Sequence, residues 1–183
     1  MRKFRDRVEL VRNLPAGRAM ELGVFLGDFS QVILTVPIKE LWLVDCWCPY
    51  PNANPLEPAV FNEQDGKETY LKVVSRFADD PRVRIVRGYI EEVLPLFREN
   101  TFDWIYVDAD HQFHSVYRHL ELAFPLVKPG GFLCGHDYLD SDFYPWLKDV
   151  KPAVDMFCED YGLKIAYITE DEYPSYAIQK PFK

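Results

Sequence analysis

The sequence predicts an α/β protein, with one doubly wound, mostly parallel sheet of seven strands and an antiparallel C-terminal hairpin at its edge. Three observations predict it. Short apolar runs alternate with segments of helical period, the pattern of βα units around a parallel sheet. No repeat, low-complexity tract or Gly/Ser linker divides the chain, so residues 1–183 read as a single domain. With 48% apolar and 15% aromatic residues, a chain of 183 can bury a sizeable core.

Residues 1–17 are expected to form an N-terminal helix with Phe4, Val8 and Val11 on one side, packed on the domain. The first sheet strand covers Arg18 to Leu22. After it come ELGVFLGDFS and a helix through Val36, with Asp28 or Ser30 able to cap its first turn. LWLVD makes the second strand, ending at Asp45. Residues 46–65, CWCPYPNANPLEPAVFNEQD, hold four prolines and three aromatics, which forbid a regular element and suit a lid or substrate loop.

GKETYLKVVSRFADD then reads as a helix, VRIVRG as the third strand and YIEEVLPLFREN as a helix interrupted near Pro95. FDWIYVD is the fourth strand. Val116, Leu120, Ala123 and Val127 recur at helical spacing before a KPGG turn and the fifth strand, GFLCGHD. Pro152 can open a last helix with Val154, Phe157, Cys158 and Tyr161 inward, and Gly162 can stop it. LKIAYIT and SYAIQK then pair antiparallel.

A net charge of −8 works against nucleic-acid binding, because phosphates demand clustered Lys and Arg. The opening MRKFRDRVELVRNLP is broken by charges before any apolar run forms, so it reads as neither signal peptide nor membrane span, and a cytoplasmic protein is expected. Cys46, Cys48, Cys134 and Cys158 lack CxxC spacing and are expected to be reduced thiols without a metal role.

In doubly wound sheets ligands collect beyond the carboxyl ends of the strands, where the winding reverses. Gly23 and Gly27 after the first strand let a ligand approach the backbone ahead of a helix N-terminus, which favours an anionic group. Their spacing is GxxxG, and bulky Phe25 stands where a dinucleotide fold needs a glycine, so a ligand without pyrophosphate fits better. Asp45, at the second strand end, is placed to accept hydrogen bonds from a ribose diol.

Together with EVLPLF after RGYIEE and the KPGG turn, the series from Ala19 to Ile178 resembles the class I S-adenosylmethionine-dependent methyltransferases. VDADHQFHSVYRHLELAFPLVKPGGFLCGHDY, followed by VKPAVDMF, is similar to methyltransferase family 24, small-molecule O-methyltransferases related to macrocin and other sugar O-methyltransferases. The resemblance implies a Rossmann-like sheet and S-adenosylmethionine as cofactor. Glu21, Gly23 and Gly27 would line its methionine part, Asp45 would hold the ribose, and Gly88, Tyr89 and Ile90 would flank the adenine; Asp108 is expected among the cofactor-binding residues as well.

Methyl transfer to oxygen is an in-line displacement, so the acceptor hydroxyl must be held near the methyl and lose its proton. Asp108 in DADH and Asp137 in GHDY end neighbouring strands, and two carboxylates facing one cleft repel unless a cation or proton sits between them. A divalent ion such as Mg²⁺ would satisfy them and lower the hydroxyl's pKa. Metal-using relatives place Asp-Asp or Asp-Asn after the fifth strand. Here it is His136-Asp137, and histidine shifts the preference towards Mn²⁺, Fe²⁺ or Zn²⁺, or points away from the site.

For the proton, His111 and Asp110 are the catalytic candidates. The competing reading makes His111 a cap of the following helix, with His114 and His119 on its solvated face. Trp47, Tyr50 and Phe113, with Tyr138, Phe143, Tyr144 and Trp146 after the fifth strand, could stack a small aromatic or sugar-ring acceptor. Two other classes stay open: a nicotinamide-dependent oxidoreductase on a related sheet, and a cofactor-binding module without turnover. The sequence leaves open whether the chain forms a homo-oligomer.

Overall fold

The computed structural model describes residues 1–49, 63–140 and 144–182. Eight strands form one sheet: β1 (Arg2–Phe4), β2 (Arg18–Leu22), β3 (Glu40–Asp45), β4 (Val83–Arg87), β5 (Phe102–Val107), β6 (Val127–Gly135), β7 (Ile165–Thr169) and β8 (Tyr176–Gln179). Their spatial order is β1-β7-β8-β6-β5-β2-β3-β4. β8 runs antiparallel to both β6 and β7, and every other pair is parallel.

Six helices flank the sheet: α1 (Arg7–Arg12), α2 (Asp28–Leu34), α3 (Glu63–Arg76), α4 (Ile90–Val93), α5 (Phe113–Ala123) and α6 (Val150–Asp160). Residues alternate between the two faces as strand geometry demands. Ile105 and Val107 of β5 join a core with Leu120 of α5 and Val154 of α6, while Trp104 and Tyr106 join Leu10 of α1, Ile33 of α2 and Val73 of α3. Both faces of the sheet are thus covered, and the central strands are apolar on both sides.

The strand of reversal is β2. The chain leaves it outward through β3 and β4, then returns to its other side with β5 and β6. The carboxyl ends of β2 and β5 therefore flank the crevice where this architecture collects ligands.

Four local readings change. The sheet has eight strands because Arg2–Phe4 pairs parallel with β7; three residues are too few for periodicity to reveal, and the N-terminal helix is correspondingly only Arg7–Arg12. The KPGG segment lies inside β6, which starts at Val127, so Val127 extends a strand rather than a helix. Tyr161 is half exposed at the end of α6, stacked on Phe157 at 4.6 Å. The α2 cap is Gly27, with neither Asp28 nor Ser30 in that role. Most of the expected lid, 50–62, lies outside the described residues, as do Tyr50 and Phe143. Among the described residues no helix is long and apolar enough to cross a membrane.

Lys180, just past β8, ties the strand to the turn before β6. Its ammonium, with three N–H donors, is shared among four acceptors: the carbonyls of Val127 (2.7 Å), Phe124 and Pro125 (both 3.1 Å) and Asn100 Oδ1 (3.1 Å). Charged hydrogen bonds of this kind are worth about 1.5–3 kcal/mol each when a partner is lost, and solvent exposure here reduces that. Lys180→Met is therefore expected to lower urea-unfolding stability by about 1–3 kcal/mol without changing the denaturant slope. An unchanged midpoint contradicts the staple.

Candidate active site at the carboxyl ends of β2, β3, β5 and β6

β2 ends against β5 at unusually close range. Gly23 has φ +86°, and a Cβ on it would lie 1.9 Å from the carbonyl oxygen of Asp108. Only glycine tolerates both the left-handed backbone and that approach. Gly27 (φ +78°) starts α2 with its Cα against the Phe77 ring, where a Cβ would sit 2.7 Å away. Both glycines are thus required by the fold itself, whatever they offer a ligand.

Asp45 organises this loop. Its Oδ2 accepts the N–H groups of Val24 (2.8 Å) and Phe25 (3.0 Å), and its Oδ1 accepts that of Trp47 (2.7 Å). A carboxylate has about four acceptor positions, so one remains on Oδ1 for a sugar hydroxyl. Trp47 is buried rather than presented for stacking, and its indole N–H donates to the Phe25 carbonyl at 2.8 Å. The turn at Gly88 is joined to the same acid, since the Gly88 N–H donates to the Asp45 carbonyl at 2.9 Å. Next to it, Tyr89 precedes α4, its hydroxyl accepts from the Cys48 thiol at 3.3 Å, and Ile90 is buried.

Glu21 is 2% exposed on β2, and the Ser30 hydroxyl of α2 donates to its Oε2 at 2.5 Å. Burial is the largest influence on it and raises its pKa to about 8; Asp108 and Asp45 push in the same direction, while the Ser30 hydrogen bond and Arg7 oppose them. At neutral pH the carboxyl is mostly protonated.

The tips of β5 and β6 carry a compact acid–histidine cluster. His111 Nε2 lies 3.1 Å from Asp137 Oδ2 and 4.0 Å from Asp108 Oδ1, while His136 Nδ1 lies 3.2 Å from Asp137 Oδ1 and 3.7 Å from Asp108 Oδ2. Burial favours a neutral Asp137, yet hydrogen bonds from His111 and His136 outweigh it and hold this carboxyl well below the usual range. Asp108 goes the other way: burial raises its pKa, Asp137 adds to the rise, and the two histidines reduce it. For His136, burial favours the neutral ring, but Asp108 and Asp137 together raise its pKa. Two acids in one cluster are thereby driven apart, the pattern found where proton transfer is carried out.

One ligand atom each from Asp108, His111 and Asp137 falls within 4.8 Å of the others, a donor set that can converge on a cation. Two carboxylates and an imidazole suit Mn²⁺, Fe²⁺ or Zn²⁺ better than Mg²⁺. His136 Nδ1 also stands within 4 Å of both carboxylates. Asp137 itself has φ +57°, a left-handed conformation costing a non-glycine residue about 1–2 kcal/mol, which its buried hydrogen bonds offset.

Asp110 is buried, and its Oδ1 accepts the Gln112 N–H at 2.8 Å, shaping the turn into α5; the carboxylate against His111 is Asp137. His119 is fully buried, with Nε2 3.0 Å from Glu91 Oε1, not on the solvated face expected for it. Its spacing gave the clue: Val116, His119, Leu120 and Ala123 form one buried stripe of α5. His114 is exposed as expected.

Two participants had no signal in the sequence. Arg7 of α1 places Nη1 3.4 Å from Asp108 Oδ2, with its guanidinium 4.4 Å from the centre of the Phe29 ring. Tyr173 lies 6.4 Å from His136 and 5.2 Å from Tyr144, which in turn is 5.6 Å from Trp146, giving an aromatic wall beside the cluster.

The sequence model of methyltransferase family 24, a methyltransferase domain, matches residues 20–138. An uncharacterized protein of Acanthamoeba polyphaga mimivirus is 32% identical over 146 residues, 77% of this chain and 59% of that protein, so the chain spans about three fifths of this relative's length. N-methyltransferase NodS from Bradyrhizobium japonicum superposes with a TM-score of 0.67 at 13% identity, over 96% of this chain and 93% of that one. The O-methyltransferase NovP superposes with a TM-score of 0.64 at 21% identity, over 96% and 79%. At such identities the structures share the fold alone.

Glu21 gives a test of the cradle's electrostatics. A buried carboxyl whose folded pKa is raised from 4.5 to about 8 supports stability below the lower value, and that support is lost as pH rises through the window. The unfolding midpoint of the unmodified protein is expected to fall relative to Glu21→Gln between these limits; parallel pH profiles for the two proteins contradict the assignment. The family match covers well over half of the chain, from β2 to just beyond β6, and the chain accordingly belongs to methyltransferase family 24, with the class I methyltransferase fold.

Proposed function

We propose that the protein transfers a methyl group from S-adenosylmethionine to a hydroxyl of a small organic acceptor. The observation that carries the reading is the convergence of Asp108, His111, His136 and Asp137 beside the glycine loop, at the point where the sheet reverses its winding. Membership of the family supports the cofactor.

In this reading the cofactor supplies an electrophilic methyl on a sulfonium. Glu21, Gly23 and Gly27 line its methionine part, the open acceptor position of Asp45 takes a ribose hydroxyl, and Gly88, Tyr89 and Ile90 border the adenine. Asp108 stands between the cofactor and the acceptor. A divalent cation, if held by Asp108, Asp137 and His136, would lower the pKa of the acceptor hydroxyl.

The chain's own groups supply the proton chemistry. His111 accepts the proton of the acceptor, and Asp137, 3.1 Å from its Nε2, orients the ring and stabilises the imidazolium that forms. Asp110 fixes the turn that carries His111. This pairing favours oxygen over nitrogen, because a hydroxyl must be deprotonated to attack whereas a neutral amine already has its lone pair available. The wall of Tyr144, Trp146 and Tyr173 favours an acceptor with a ring to stack. A net charge of −8 favours neither nucleic acid nor other polyanions as partner.

The test is methyl transfer from radiolabelled S-adenosylmethionine to a panel of phenols, catechols and sugars. Asp137→Asn and His111→Ala are expected to lower transfer about 100- to 10,000-fold while S-adenosylhomocysteine affinity stays within about 3-fold. Unchanged transfer, or loss of cofactor affinity in step with it, contradicts these roles. Exhaustive chelation is expected to suppress transfer and Mn²⁺ to restore it. Activity indifferent to both removes the cation and leaves the methyltransferase reading standing.

A further inference from the structure

The cradle at the ends of β2, β3 and β5 is rich in acids. Asp108 and Asp45 are both close enough to act on Glu21, and Arg7 acts on it against them. Such carboxyl groups suit the ammonium and sulfonium of S-adenosylmethionine but supply no positive charge for the carboxylate at the far end of the same amino-acid group. A ligand of this kind therefore needs a cation near its carboxylate. α2, at seven residues, is too short to serve by its dipole alone.

Arg7 meets that need by position. It opens α1, whose first turn is fixed by Asp6 accepting the Glu9 N–H at 2.8 Å, and α1 packs on α2 and β7. Its guanidinium lies over Phe29, two residues after Gly27, which holds the fork against the helix that follows the glycine loop. Among the described residues its one side-chain ion pair is the 3.4 Å contact with Asp108. That contact is long for a charge-assisted hydrogen bond and uses one of five N–H donors. The side chain is 34% exposed, so donors of the fork remain accessible from solvent.

We infer that Arg7 is the specificity-determining residue that recognises the α-carboxylate of the cofactor's methionine part, its fork pairing with that carboxylate while one arm stays on Asp108. The inference rests on the S-adenosylmethionine reading. It assigns the N-terminal helix a role in ligand selection: a nucleoside thioether that keeps its amine but lacks the carboxylate is discriminated against. The same contact couples the two ends of the site, because Arg7 touches the acid that borders the acceptor.

The experiment is calorimetric titration with two ligands, S-adenosylhomocysteine and its decarboxylated analogue, which keeps the amine and lacks only the carboxylate. The unmodified protein is expected to bind the first about 10-fold or more tighter than the second, the worth of a charged hydrogen-bonded pair. Arg7→Gln, which keeps the stem on Phe29, is expected to weaken S-adenosylhomocysteine about 10-fold or more and to leave the analogue within about 3-fold. Arg7→Lys keeps the charge without the planar fork and is expected to lose about 3-fold or more of the preference.

Equal affinities of the unmodified protein for the two ligands overturn the assignment and leave the cofactor reading intact. So does an equal loss of both in Arg7→Gln, which is the mark of a structural role. Should Arg7→Gln fail to fold, a ligand preference in Arg7→Lys unchanged from the unmodified protein overturns it as well. Binding of neither ligand by the unmodified protein removes the cofactor reading and this inference with it.

Discussion

The site depends on one backbone contact, the approach of Gly23 to the Asp108 carbonyl. Leu22 accepts the Asp108 N–H at 2.8 Å, and Gly23 donates to Val44 at 2.9 Å on the other side, so the end of β2 is gripped by both neighbours. Because Gly23 has no Cβ, the β5 tip can close on it, and the acids of DADH arrive beside the glycine loop rather than an ångström or more away. Any larger residue there would push apart the two halves of the crevice.

From that contact the polar groups divide into two layers. Asp45 spends three acceptor positions on the loop amides and so fixes the shape of the cradle before any ligand enters. Asp137, Asp108, His111 and His136 form the second layer, in which opposite shifts of two carboxyls give one acid that is held ionised and one that resists ionisation. Arg7 links the layers from α1, which packs on α2 and β7. The arrangement is costly to bury, and it persists because almost every charge in it faces a partner of opposite sign.

Much of this was legible in the residues because strand ends announce themselves. WIYV running into DADH changes from apolar to acidic at once, FLC running into GHDY does so within three residues, and Asp45 and Val107 end their strands where such a change occurs. Asp108 and Asp137 could be paired from strand adjacency alone. What escaped lacked period or depended on packing. β1 has three residues, and the KPGG segment reads as a turn although Gly130, at φ +78°, lets it continue as strand. His119 carries a polar label but occupies an apolar spacing, and Glu91 lets it be buried there. Arg7 and Tyr173 come from distant parts of the chain, and no local pattern places the one beside Asp108 or the other beside His136.

Family and fold leave the chemistry to the geometry of this crevice. The most direct measurement is a crystal structure of the protein with S-adenosylhomocysteine. The account predicts the nucleoside between the Gly23–Gly27 loop and the tips of β5 and β6, ribose on Asp45 and sulfur facing Asp108 and His111. A nucleoside seated anywhere else, or a crevice that takes none at saturating ligand, contradicts it.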